Sequence, residues 1–257
     1  MLRFPRRLGV DLMKVRVAQK IFGNEKNPLA LKLCPNANLK SSDSASYSHH
    51  LDRQMLAQVR ASAAPVVWIG GESPLAYAHI GKLTSEIVAC RRTVFIEMDG
   101  TLLRRRIHEF RPVSRLYFTV QLNGLEASHD DRAENAGVFR ATVGGVRAAK
   151  LSGFHLCALT KIFADTQIEE LRKLAEYLCK LEVDGWVQTP GIADDGAKPT
   201  QQKLLQAREI VPNRKWRLFS ELLDLAAVAD AECKEKERSM RPISEELPGR
   251  REGVRAQ

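Results

Sequence analysis

The sequence predicts an α/β fold in which six parallel strands alternate with helices to form a partial barrel. Short β-branched and apolar runs recur at 29–33, 65–69, 93–97, 115–122, 154–160 and 184–189, each bounded by Gly, Pro or charged residues, as buried parallel strands are. Helical patterns lie between them at 51–62, 77–90, 104–110, 137–151 and 166–181. Such alternation forces a parallel sheet with right-handed crossovers, and six units are too few for a closed eight-stranded barrel. In sheets of this kind a ligand site lies at the carboxyl ends of the strands.

The elements follow in order. Residues 1–27 hold seven Lys/Arg against Asp11 and Glu25, a net charge of +5, and Leu8, Leu12, Val15 and Phe22 recur there at roughly helical spacing. This reads as a basic amphipathic leading helix, packed on the domain with a solvated basic face or laid on an anionic membrane surface. Residues 28–192 carry the six β/α units. In the last helical pattern Ile168, Leu171, Leu174, Ala175 and Leu178 make one apolar stripe, with Thr166 as N-cap and Glu169 completing a capping box. Residues 193–202 read as a loop, and a helix over 215–232 has Trp216, Phe219, Leu222, Leu223 and Val228 as its apolar face. The segment 193–232 is thus a helical carboxyl-terminal extension. Residues 233–257, charged and poor in apolar side chains, read as a disordered tail.

Composition narrows the function classes. With 44% apolar and 6% aromatic residues the chain is that of an ordinary globular protein, and its longest apolar runs are far too short to span a bilayer. Five scattered cysteines, without a C-x-x-C pair, suit reduced thiols in a cytoplasmic protein and give no metal-site spacing. The formal charge of +9 would suit nucleic acid. No helix-turn-helix, zinc-finger or aromatic RNA-binding signature accompanies it, so nucleic acid is not the expected partner.

The motifs sit just after strands. Gly70-Gly71-Glu72-Ser73-Pro74-Leu75 follows the second strand, where paired glycines let backbone approach a ligand and a carboxylate complements an ammonium. By itself this stretch also fits a tight strand-to-helix turn. The third strand ends Glu97-Met98-Asp99-Gly100-Thr101-Leu102-Leu103. The fourth ends Thr119-Val120-Gln121-Leu122-Asn123-Gly124, with His129-Asp130 beyond it. Ala136-Gly137-Val138-Phe139 opens a helix that ends near Gly153-Phe154, and the sixth strand ends Gln188-Thr189-Pro190-Gly191.

Together these stretches resemble the radical S-adenosylmethionine (SAM) superfamily: its GGEP motif, its T-N-[GA]-x-L-L stretch and its S-x-x-L-D-G…H-D segment, each with polar substitutions. Residues 10–192 look most like the adenosyl-hopene transferase branch of hopanoid biosynthesis, including Ala64-Pro65-Val66-Val67 before the glycines. The resemblance implies a partial (β/α)6 barrel of the radical SAM type. It also implies a pocket for SAM or a related nucleoside built by Gly70, Gly71, Glu72, Asp99, Gln121 and Asn123.

The family's C-x3-C-x2-C cluster motif falls here on Ala37, Ser41 and Ser44. Iron–sulfur clusters need thiolates or occasionally imidazoles; serine hydroxyls are poor replacements and Ala37 has no donor atom. Cys34 reads as a buried strand-end thiol, His49-His50 as an exposed pair before the helix at 51, and His129 as a hydrogen-bonded loop residue rather than a general base. No [4Fe–4S] cluster and no radical chemistry are therefore expected, while SAM remains the expected ligand. The reading is a binding, regulatory or scaffold protein beside an active homologue or another lipid-biosynthesis protein, cytoplasmic and peripheral on the inner membrane face. The alternative is a SAM-dependent transferase with repurposed or partner-supplied cofactor chemistry.

Overall fold

Six strands form one parallel sheet in the order β1-β2-β3-β4-β5-β6, every strand hydrogen-bonded to its sequence neighbours. A computed structural model of the chain describes residues 8–11, 13, 14, 17, 29–35, 45–71, 73–191, 196–212, 216 and 217, and of 45–49 the backbone alone. The strands are β1 (Ala30–Leu33), β2 (Val66–Ile69), β3 (Thr93–Met98), β4 (Leu116–Gln121), β5 (His155–Ile162) and β6 (Gly185–Pro190). The helices are α1 (Ala45–Ala61), α2 (Ile80–Ala89), α3 (Leu103–Arg106), α4 (Glu126–Arg132), α5 (Val138–Leu151), α6 (Ile168–Lys180) and α7 (Gln201–Glu209). Sequential order without a reversal point is what successive right-handed β-α-β crossovers produce, and the result is a partial barrel of the radical SAM type.

The two faces of the sheet are buried differently. Leu33, Val67, Ile69, Val94, Ile96, Met98, Leu116, Phe118, Val120, Leu156, Ala158 and Trp186 point outward into the helices and share one core with Leu83, Ile87, Val146, Leu171, Leu174 and Leu178. The inner face carries a smaller cluster of Ala30, Val66, Phe95, Tyr117, Cys157, Leu159 and Val187, closed from one side by Leu8 of the leading helical segment. Arg115 at the start of β4 pairs with Asp11 at 3.3 Å and holds that segment at the amino-terminal end of the barrel.

A ladder of rings forms the floor of the inner face. Trp68, Phe95, Tyr117 and His155 are register partners on four successive strands. Their planes are nearly parallel: 5.4 Å and 16° for Trp68–Phe95, 5.0 Å and 19° for Phe95–Tyr117, and 5.0 Å and 22° for Tyr117–His155. Each such contact contributes ~0.5–1.5 kcal/mol beyond its area of burial. Below the ladder Asp184 accepts hydrogen bonds from the Leu156 amide and Lys150 Nζ, tying β5, β6 and α5 together.

Several expectations need correcting. The capping box at Thr166 does not form: Gln167 is the N-cap of α6, and the Thr166 hydroxyl instead accepts the Phe163 amide proton at 2.8 Å. The hydroxyl serves the turn that ends β5 rather than the helix. His49 and His50 do not precede a helix but lie within α1, which begins at Ala45. The pattern at 104–110 splits into α3 and a 3-10 turn at Ile107–Glu109. Two polar helices, α4 and α7, were not foreseen, and α7 takes up the end of the expected loop at 193–202. The expected tail at 233–257, and all but Trp216 and Arg217 of the expected helix at 215–232, lie outside the described residues.

One close approach sets where the loop after β3 sits. Gly100 has φ +91°, and the ideal Cβ of Gly145 on α5 would lie 2.8 Å from its carbonyl oxygen. Gly145→Ala is expected to lower stability by about 1–3 kcal/mol through overpacking against backbone. Its neighbour Gly144 has nothing within 4 Å of the same position. Gly144→Ala should be neutral or stabilising by up to ~1 kcal/mol, because only helix propensity changes. Thermal or urea unfolding of the two variants checks the contrast.

Candidate ligand site at the carboxyl ends of the strands

Alternation along the strands places Gly70, Glu97, Thr119, Gln121, Lys161 and Thr189 on the inner face above the aromatic floor. The layer directly above the rings is Gly70, Glu97, Thr119, Cys157 and Gly185, mostly small side chains. Glu97 is half-buried; its Oε2 accepts Trp68 Nε1–H at 3.0 Å, while Oε1 has no hydrogen-bond partner among the described residues. The ideal Cβ of Gly70 would sit 3.4 Å from that same Oε2. Glycine at this position therefore leaves backbone open beside a fixed carboxylate. Farther up, Gln121 and Lys161 are half-buried, and their side chains make no hydrogen bond or ion pair among the described residues. The face thus offers a fixed carboxylate, an amide and an ammonium above a buried aromatic floor.

The glycine turn is held from outside. Gly71 (φ +99°) and Ser73 (φ 47°) both take left-handed conformations, and the Gly70 amide donates to the Leu33 carbonyl at 2.9 Å. A Cβ on Gly71 would meet the Cys34 side chain at 3.5 Å, so the ends of β1 and β2 are in contact. The Arg106 guanidinium donates to the carbonyls of Leu75, Tyr77 and Ala78 and is itself clamped by both carboxylate oxygens of Glu109. Asp52 accepts the Tyr77 hydroxyl at 2.8 Å and pairs with His79 Nδ1 at 2.9 Å. These bonds lock the segment after the turn to α1 and α3.

The six expected site residues separate into groups. Gly70 and Gln121 stand on the inner face, whereas Gly71 faces Cys34 in the turn. Glu72 lies outside the described residues, as do Ala37, Ser41 and Ser44. The Asp99 carboxylate is exposed and accepts both the amide and the hydroxyl of Thr101 at 2.9 Å, making the turn after β3. Asn123 is buried, and its Oδ1 accepts the Lys161 amide at 3.0 Å, tying β4 to β5. Glu97, Lys161 and the Trp68 ring were not singled out, because strands buried on both faces show no in–out alternation in the sequence.

His129 is positional rather than chemical. It lies in α4, not in a loop, and is buried; its Nδ1 accepts the Asn123 amide proton at 3.2 Å. Nδ1 being the acceptor, the neutral ring carries its proton on Nε2. Burial pushes its pKa below the ordinary imidazole value, against the opposing pull of Asp130 and Asp99. Asp130 caps α5, accepting the Gly137 and Phe139 amides at 2.6 and 2.7 Å, and these bonds hold its carboxyl below the usual range.

The four described cysteines are scattered. Cys34 follows β1 and is half-buried rather than buried, Cys157 is buried on the inner face with its thiol pushed up by burial, and Cys90 and Cys179 lie at the end of α2 and on α6. Among the described residues, no three His, Cys, Asp or Glu side chains converge to hold a metal.

No sequence-family model and no curated protein sequence matches the chain. Solved structures do. SuiB from Streptococcus suis bound to S-adenosylmethionine aligns with TM-score 0.58 at 14% identity, over 76% of this chain and 51% of SuiB. SuiB bound to its precursor peptide SuiA gives TM-score 0.52 at 15% identity, over 67% and 41%. TYW1 with a lysine–pyruvate adduct gives TM-score 0.50 at 10% identity, over 72% and 71%. The chain spans about half the length of the SuiB chain it matches. At such identities the likeness is one of fold.

The state of His129 has a pH consequence. Its folded pKa is lowered, so below about pH 6.5 the unfolded chain binds a proton that the native chain does not. Stability should fall as pH drops from 7 toward 5, by at most ~1.4 kcal/mol per pH unit from this group. His129→Asn, which keeps an acceptor for the Asn123 amide, should flatten that limb. Urea unfolding across this range measures it, and an unchanged slope would refute the buried neutral imidazole.

Proposed function

We propose that this chain binds SAM or a closely related nucleoside at the carboxyl ends of its strands and performs no radical chemistry by itself. The observation that carries the reading is the set of polar groups Glu97, Gln121 and Lys161, with open backbone at Gly70, on successive levels of the inner face above the ring ladder, on a fold shared with a SAM-bound protein. SAM combines an ammonium, a carboxylate, a sulfonium and an aromatic base. Carboxylates suit its two cationic groups, Lys161 its carboxylate, and open glycine backbone its polar parts. Glu72, in the GGEP-like turn, is proposed as the second carboxylate.

The absence of autonomous radical chemistry rests on donor chemistry. The C-x3-C-x2-C spacing carries Ala37, Ser41 and Ser44, which supply no thiolate. The resemblance of residues 10–192 to adenosyl-hopene transferases supports a place in hopanoid or other membrane-lipid metabolism. There the chain would be a regulatory or scaffold protein beside an active homologue or another lipid-biosynthesis protein, in the cytoplasm. The second reading, a SAM-dependent transferase whose cofactor comes from a partner, is supported by the same polar groups and differs in requiring turnover of SAM.

SAM at millimolar concentration is expected to raise the melting temperature, since a ligand that binds only the native state stabilises it. Glu97→Gln and Glu72→Ala should each weaken binding about tenfold or more, one carboxylate–cation contact being lost in each. Calorimetric titration reads both. No binding by the unmodified chain, or unchanged affinity in both variants, would overturn the proposal; SAM cleavage by the chain with a partner would favour the transferase.

A further inference from the structure

The leading helical segment has two faces, and only one belongs to the barrel. Leu8 is 2% exposed within the inner-face cluster, and Asp11, one turn on, is paired with Arg115. Val10, Met13 and Val17, spaced three and four residues apart, are 49%, 66% and 51% exposed. They are half of the exposed large apolar side chains among the described residues, the others being Val113, Leu151 and Leu205 on separate elements. The Leu8 and Asp11 contacts fix the roll of the helix and so commit the Val10–Met13–Val17 stripe to the outside. Lys14, beside Met13, is exposed as well. The surrounding residues 1–27 carry seven Lys/Arg against two acidic residues.

An exposed apolar stripe beside Lys14, in a stretch of sequence with net charge +5, matches a surface that is apolar beneath and anionic above. We propose that the Val10–Met13–Val17 face docks this chain on an anionic lipid bilayer, with the half-barrel held on the aqueous side. The apolar side chains enter the headgroup–acyl boundary, and the basic residues of 1–27 meet the lipid charge. Neither part suffices: three modest side chains bury little area, and the basic residues lose their partner on a neutral bilayer. Among the described residues no helix is long and apolar enough to cross a membrane, so the attachment is by a face rather than a span. This inference is independent of what the strand ends bind.

Sedimentation of the full chain with vesicles of phosphatidylcholine, alone or mixed with phosphatidylglycerol, tests it. The chain should pellet with the mixed vesicles only, and less as salt is raised. The double substitution Met13→Ser with Val17→Ser should lower partitioning about tenfold or more while leaving the melting temperature unchanged, because both side chains lie outside the core. Lys14→Glu should lower it less. No association with the mixed vesicles at low salt, or equal association of the double variant, would overturn the proposal. So would a dimer in light scattering that the double variant dissolves, since the stripe would then belong to a second copy of the chain.

Discussion

The stack of Trp68, Phe95, Tyr117 and His155 across four strands is the constraint on which the rest of the molecule depends. A parallel sheet that curls toward a barrel brings its inner side chains together. Flat rings in register occupy that narrowing space and stand beside one another on neighbouring strands. Leu8 packs into the same cluster from the amino-terminal end. Above the rings the inner face carries Gly70, Glu97, Thr119, Cys157 and Gly185, then Gln121 beside the buried Leu159 and Val187, then Lys161 and Thr189. The floor therefore does two things at once: it completes the inner core, and it holds Glu97 in place through the Trp68 indole.

The turns around that face are positioned by packing on the other side of the sheet. Arg106 gathers three carbonyls of the segment after the glycine turn, and the Gly100–Gly145 approach seats the loop after β3 against α5. Asp99 and Asn123 spend their side chains on turn and strand-end bonds, and His129 and Asp130 on holding α4 and α5. Much of what resembles a ligand motif in the sequence is thus the framework of the site. Among the described residues of the inner face, Glu97, Gln121 and Lys161, with the Thr119 hydroxyl, keep spare hydrogen-bonding capacity.

How much was legible follows from these particulars. The six strands stand out in the sequence because each is a near-continuous apolar run, and the stripe of α6 because its face is sharply one-sided. The same continuity hid the site. A strand buried on both faces shows no alternation, so nothing separated inward Glu97 from outward Met98, or Lys161 from Ile162, until the register was known. Helices α4 and α7 (EASHDDR and QQKLLQARE) have too few apolar residues to show a period; they form because Glu170 binds the Leu125 amide and the Thr200 hydroxyl that of Lys203 at their first turns. The Gly70-Gly71 turn was readable because left-handed backbone calls for glycine, whereas Ser73 adopts it against type.

The account turns on a fold with polar groups on its inner face whose C-x3-C-x2-C positions, Ala37, Ser41 and Ser44, supply no thiolate. Iron and sulfide content, with the visible spectrum, after anaerobic reconstitution in excess iron and sulfide tests this most directly. We predict a colourless protein without stoichiometric iron that still binds SAM. A stable cluster with the broad visible absorption of thiolate-ligated iron would contradict it, and would mean that cysteines outside the Ala37, Ser41 and Ser44 positions supply the ligands.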